Sequence, residues 1–189
     1  MHPTIRIHPF QKADIEFPGF LGSIALGDDR ETVRAIVGGT QGFYATSDLV
    51  MLLDNAIQIT LTNGCVDFME FSTFRNTEED EDIACVIIMD DTVLSELEAP
   101  ALAEFLSSLN SDGDVDDSEA PASYRFEGIG LTLWQPIAFE DALAELAYAR
   151  DADADDEEIA FLEREVEAVR FFHTIGFGTD SSMRSFHEA

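Results

Sequence analysis

Between residues 57 and 61 the chain reads IQITL, with Ile57, Ile59 and Leu61 alternating against Gln58 and Thr60. That period of two marks a strand with one buried face. Asn63 and Gly64 follow directly, and an Asn-Gly pair tolerates the left-handed backbone of a tight hairpin. CVDFMEF at 65–71 is then the return strand. Further strands are predicted at GSIALG (22–27), YATSDLVMLLD (44–54), IACVIIM (83–89) and VEAVRFFHTIGF (166–177). SYRFEGIGLTLWQP (123–136) forms one or two strands with a bend at Gly128, Ile129 and Gly130. Helical spacing appears in three places. Val33, Ile36 and Val37 share a face over residues 28–37, and Leu102, Phe105, Leu106 and Leu109 share one behind Pro100, a residue suited to a first helical turn. Residues 139–165 read as helix with a break near Asp151.

These elements fall into two similar halves, about 22–71 and 83–177, each running strand, acidic turn, helix and two or three strands. Hairpins outnumber crossovers, which favours antiparallel pairing. The expectation is a single α+β domain over residues 1–178. Its mostly antiparallel sheet is built from a tandem β-α-β-β-type repeat, with helices on one face and a polar tail at 179–189.

One stretch imitates a phosphate loop. GSIALGDDRETVRAIVGG at 22–39 places glycines around a strand and a helix entrance. A phosphate needs free N–H groups, the positive helix end and a nearby cation. This entrance instead carries Asp28, Asp29 and Glu31, and Asp28 with Glu31 has capping-box spacing. Their carboxylates occupy the same donors, with Gly38 as a left-handed C-cap. The segment reads as a strand–turn–helix joint.

Charge changes the picture most. The 189 residues hold 39 Asp and Glu against 10 Lys and Arg, a formal net charge of −29, and Lys12 is the sole lysine. Such a field opposes direct contact with nucleic acid or an anionic membrane. Hydrophobic residues make up 46%, enough for a substantial core despite the charge. No apolar run approaches the ~18 residues of a membrane span. The opening MHPTIRIHPFQKADIEF has neither a basic n-region nor an apolar h-region. Cys65 and Cys85 lack metal-ligand spacing and read as buried thiols, with a bridge between neighbouring strands as the alternative. A cytoplasmic protein is expected.

Acids concentrate in NTEEDED (76–82), NSDGDVDDSE (110–119) and DADADDEE (151–158). The last two alternate as calcium loops do, but an EF-hand loop needs Gly at position six and Glu at twelve. From Asp112 those places hold Asp117 and Ser123; from Asp151 they hold Asp156 and Leu162. Neither a metal nor another cofactor is expected. The four histidines, His2, His8, His173 and His187, form no zinc pattern, and no serine has a nucleophile-elbow context. No catalytic residue can be named, so the protein is expected not to be an enzyme. Trp134 is placed in the core, with an interface anchor as the alternative. Adjacent Phe171 and Phe172 face opposite sides if extended.

The order GSIALG, ETVRAIVGG, DLVMLLDNAIQITLTNGCVDFMEF, YRFEGIGLTLWQP and EAVRFF, over about residues 19–172, resembles a family of small uncharacterised bacterial proteins. Those run as G-I-x-L-G-x-x-x-E-x-V-R-x-x-x-G, then a Tyr- or Asp-bearing strand, v-x-F-I-E and F-x-x-L-G-L-x-L-W. This chain departs from them in the acidic insert around Asp151, the acidic loop at Asp112 and Leu53, where an aromatic often stands. Members are of immunity-protein type, found beside secreted toxins whose domains they bind and block. The resemblance and the charge together imply an acidic inhibitor of a basic toxin or nucleic-acid-acting enzyme. Its expected partner-binding residues are Glu78, Glu79, Asp80, Glu81, Asp82, Asp112, Asp114, Asp116 and Asp117. The alternatives are a nucleic-acid-mimic phage inhibitor of a defence complex and a salt-adapted small-molecule binding domain.

Overall fold

The computed structural model describes residues 2–17, 19–39, 43–73, 84–110, 113–118, 120–152 and 154–179. Short regular alternation near the N-terminus makes β1 (Thr4–His8) and β2 (Lys12–Phe17), which bury Ile5, Ile7, Ala13 and Ile15. These two strands, unmarked in the sequence reading above, pair antiparallel, and β3 (Phe20–Ala25) pairs with β2. Helix α1 (Arg30–Val37) then buries Val33 and Val37 and lies against β3. Four strands follow as a meander: β4 (Tyr44–Ala45), β5 (Leu49–Leu52), β6 (Ile57–Thr62) and β7 (Cys65–Ser72). Asn63 and Gly64, at φ of 54° and 82°, make the expected turn from β6 to β7.

The second half opens with β8 (Val86–Met89) and β9 (Thr92–Val93), joined through left-handed Asp90 and Asp91. Helix α2 (Ala99–Leu109) carries Pro100 in its first turn and buries Leu102 and Leu106. After β10 (Val115–Asp116), β11 (Ser123–Phe126) and β12 (Leu131–Trp134) come α3 (Phe139–Asp151) and α4 (Asp156–Ala168). The last described strand is β13 (Thr174–Gly178). The expected strand at 166–177 therefore begins as helix. Val166 packs with Leu146 and Leu162 between α3 and α4, and extended pairing starts only at Thr174.

The fold is α+β with mostly antiparallel pairing, but its strands divide between two sheets. One has the order β3-β2-β1-β8-β9, the other β10-β11-β12-β13-β7-β6-β5-β4. Among the described residues the one parallel pair is β1 with β8. In the larger sheet each half of the chain contributes four strands, and the two sets meet where β13 pairs with β7. The inward rows of both sheets and the buried faces of α1 and α2 form one hydrophobic cluster. The α3–α4 hairpin closes on its own small cluster of Leu146, Ala149 and Leu162. No described helix is long and apolar enough to cross a membrane.

The helix entrance at 26–30 differs from expectation in detail. Asp29, not Asp28, is the N-cap, its carboxylate accepting from Thr32 N at 2.7 Å, while Asp28 turns back to accept from Ala25 N at 2.8 Å. Gly27 N and Arg30 N donate to the Val66 and Gly64 carbonyls. The N–H groups a phosphate would need are thus engaged by β7 and the cap. Gly38 is right-handed, at φ −64° and ψ −8°, because its N–H continues the helical pattern to Arg34 O.

Candidate functional site

The larger sheet has a core face and an open face, and strand register fixes what the open face carries. Across β10, β11, β12, β13, β7 and β6 one row of register partners runs Asp116, Arg125, Thr132, Gly176, Glu70 and Gln58. Their strand neighbours Leu131, Leu133, Ile175, Phe177, Met69 and Phe71 point the other way, into the core. A polar row therefore crosses the sheet, interrupted at its centre by a residue without a side chain.

That gap is structurally enforced. A methyl group at Gly176 would lie 2.6 Å from both the Phe68 ring and Thr132 Oγ1. Phe68 is 4% exposed although it stands on the open face, because its ring covers the glycine. Beside it lies a pocket of about 320 Å³ lined by Glu70, Asp116, Arg125, Thr132, Ser123 and Trp134, among others. Asp116 and Arg125 face each other at 3.8 Å, and Asp116 also accepts from Ser118 N at 3.1 Å. Glu70 is half-buried, and burial raises its carboxyl above the usual range. Among the described residues no donor or cation engages its side chain.

Trp134 is 49% exposed, so the expected core position is overturned. Strand alternation explains this: Leu131 and Leu133 take the inward places on β12, which puts Trp134 on the open side with Thr132. The indole meets His173 edge-on, with centroids 6.4 Å apart. His173 Nε2 donates to the Ala168 carbonyl at 3.0 Å, and burial lowers its pKa, which keeps the ring neutral. Phe171 and Phe172 do divide between the sides, Phe172 buried and Phe171 half-exposed.

Of the expected partner-binding residues, Glu78, Glu79, Asp80, Glu81, Asp82 and Asp112 lie outside the described residues. Asp114, Asp116 and Asp117 are carried on or beside β10, the edge strand next to the pocket. Buried Asn110 sets this segment by donating to the Gly113 and Asp114 carbonyls, at 2.9 and 3.1 Å. Gly113 and Gly128 pack backbone to backbone behind it, where a Cβ on Gly113 would fall 2.1 Å from Gly128 N. Asp114 and Asp117 are exposed, whereas Asp116 turns inward to Arg125. The Tyr124 hydroxyl pKa is pushed up by burial and by the negative charges of Glu140, at the start of α3, and Asp117, beside β10. The α3–α4 hairpin leaves the sheet after Trp134 and returns just before Thr174, the register partner of Trp134.

Cys65 corrects a second expectation. It is exposed, since it opens β7 at the hairpin turn, while Cys85 is buried and its thiol is pushed up to about 12. Glu70, Arg125 and Gly176 were not singled out in the sequence. The available signal was one glutamate within CVDFMEF, but nothing local reveals that it faces Gly176 across a strand pair. Compared with protein-family models, curated proteins and solved structures, the chain matches none.

Proposed function

We propose that the protein is an immunity-type inhibitor that binds and blocks a basic toxin or nucleic-acid-acting enzyme. The observation that carries this reading is the setting of Trp134. A half-exposed indole stands between the β10 edge, with exposed Asp114 and Asp117, and the root of the α3–α4 hairpin, with exposed Glu140 and Asp141. An aromatic anchor rimmed by like charge is the arrangement that binds an oppositely charged protein. Carboxylates attract it at long range and raise the association rate; the indole supplies short-range affinity. The acidic run at 78–82, outside the described residues, adds to the same attraction. The motif resemblance to immunity-type proteins points the same way.

The test starts from a basic protein captured at low salt and purified, whose activity must fall to zero at stoichiometric inhibitor. Rising salt should then slow association far more than it speeds dissociation, because the attraction is screened beyond about 10 Å at 0.1 M salt. Neutralising Glu78, Glu79, Asp80, Glu81 and Asp82 to Gln or Asn should lower the association rate, as should the same change at Asp114 and Asp117. Trp134→Ala should instead raise the dissociation rate. A salt-independent association rate, or a captured protein that keeps its activity, overturns the proposal. Failure to recover a basic partner, with unfolding at low salt, marks the acidity as salt adaptation.

A further inference from the structure

A half-buried carboxylate costs free energy unless something answers it. Glu70 sits in that state on the open face of the larger sheet. Burial raises its pKa and no described side chain pairs with it. The charged groups lining the pocket are Glu70, Asp116 and Arg125. Since Asp116 and Arg125 face each other, the excess charge belongs to Glu70. The site is short of one cation.

The walls say which cation. Thr132 and Glu70 are two strand spacings apart, about 10 Å, with the Phe68 ring lying over Gly176 between them. Phe68 thereby adds an aromatic surface to the pocket, which suits a planar, weakly hydrated cation better than a compact, strongly hydrated ammonium. Trp134 offers a half-exposed indole at the margin, braced by neutral His173, so no neighbouring imidazolium competes for the face. A guanidinium stacks on such a ring and presents five N–H donors in one plane, more than one carboxylate absorbs. Thr132 and Ser123, which also line the pocket, bring hydroxyl acceptors.

We infer that the pocket receives the guanidinium of a single arginine side chain presented by a protein partner, with Glu70 as its carboxylate and Trp134 as its stacking wall. That the arginine comes from an inhibited basic protein rests on the proposed function. The pocket chemistry rests on its own residues.

Trp134 is the single tryptophan of the chain, so its fluorescence reports this pocket alone. The full chain is titrated with a blocked Gly-Arg-Gly peptide and with its citrulline isostere, which keeps the plane and loses the charge. The arginine peptide should give a saturable change and bind at least tenfold more tightly than the citrulline peptide. Glu70→Gln should bring the arginine peptide to the citrulline level. Gly176→Ala, whose methyl would fall 2.6 Å from the Phe68 ring and Thr132 Oγ1 and so displace these pocket walls, should weaken it independently, and circular dichroism confirms that each variant is folded. Equal affinity for the two peptides, no saturable change, or unaltered binding in folded Glu70→Gln overturns the inference. If Glu70→Gln changes nothing while association with a basic partner stays salt-dependent, the pocket assignment falls and the inhibitor reading stands. If the arginine peptide needs Glu70 but no partner is steered by charge, the pocket stands and the inhibitor reading falls.

Discussion

Phe71 and Phe177 decide whether the larger sheet behaves as one body. They lie on β7 and β13, the strands where the two four-strand sets join, and both are fully buried. Their rings stack at 6.2 Å with 15° between planes. Truncating either to Ala removes a buried ring and leaves a cavity, a loss of about 3–5 kcal/mol. Against the ~5–15 kcal/mol total stability of a typical domain, that is severe but measurable. An aromatic pair adds about 0.5–1.5 kcal/mol beyond its buried area, and this separation is near the outer end of the favourable range. The double variant should therefore fall short of the sum of the singles by about 0.5 kcal/mol or slightly more. Urea unfolding should be followed by Trp134 fluorescence, which reports β12 in the second half, and by far-ultraviolet dichroism, which reports the whole chain. The two curves should coincide in the unmodified protein and shift together in each variant. A cost below about 1 kcal/mol for Phe71→Ala would mean that the ring is not packed at a continuous junction. A Trp134 transition separate from the dichroism transition would refute the one-body reasoning outright.

Three further outcomes follow from local chemistry. Glu70→Gln should raise the melting temperature at neutral pH. A raised folded-state pKa gives stability that is fully present below the unfolded value and is lost as pH rises through the folded one. The gain of the variant over the unmodified chain should accordingly grow from acid towards neutral pH, and a gain independent of pH would contradict it. Asp29→Ala should lower the urea midpoint, through loss of the cap on Thr32 N, and Asp29→Asn should recover most of the loss. In the native state a thiol reagent should label Cys65 within minutes and Cys85 only on unfolding, since Cys85 is buried and its thiol is pushed up to about 12. Labelling of both at equal rates would refute the placement of Cys85.

The parts of the molecule legible in the amino-acid order were those set by neighbours in the chain. Strict alternation at 57–61, the left-handed tolerance of Asn63 and Gly64, and Pro100 ahead of a 3.6-period face produced β6, the β6–β7 turn and α2 as expected. The break near Asp151 likewise separates α3 from α4. Mixed α+β class and antiparallel pairing follow from the same local signals. Exact caps did not, because Asp28 and Asp29 are chemically equivalent candidates, and the contact of Gly27 and Arg30 with β7 chose between them. Division into two sheets, the parallel β1–β8 pair and the β13–β7 junction were decided only in three dimensions. The candidate site depends on that last pairing. Glu70 and Gly176 are 106 positions apart in the chain, and each alone is an ordinary strand residue. Register makes them neighbours, which sets a carboxylate beside a glycine that the Phe68 ring covers, on the face to which β12 alternation turns Trp134 and Thr132. Periodicity says which residues share a face of one strand; which strand lies alongside is settled by long-range pairing, and no local pattern encodes it.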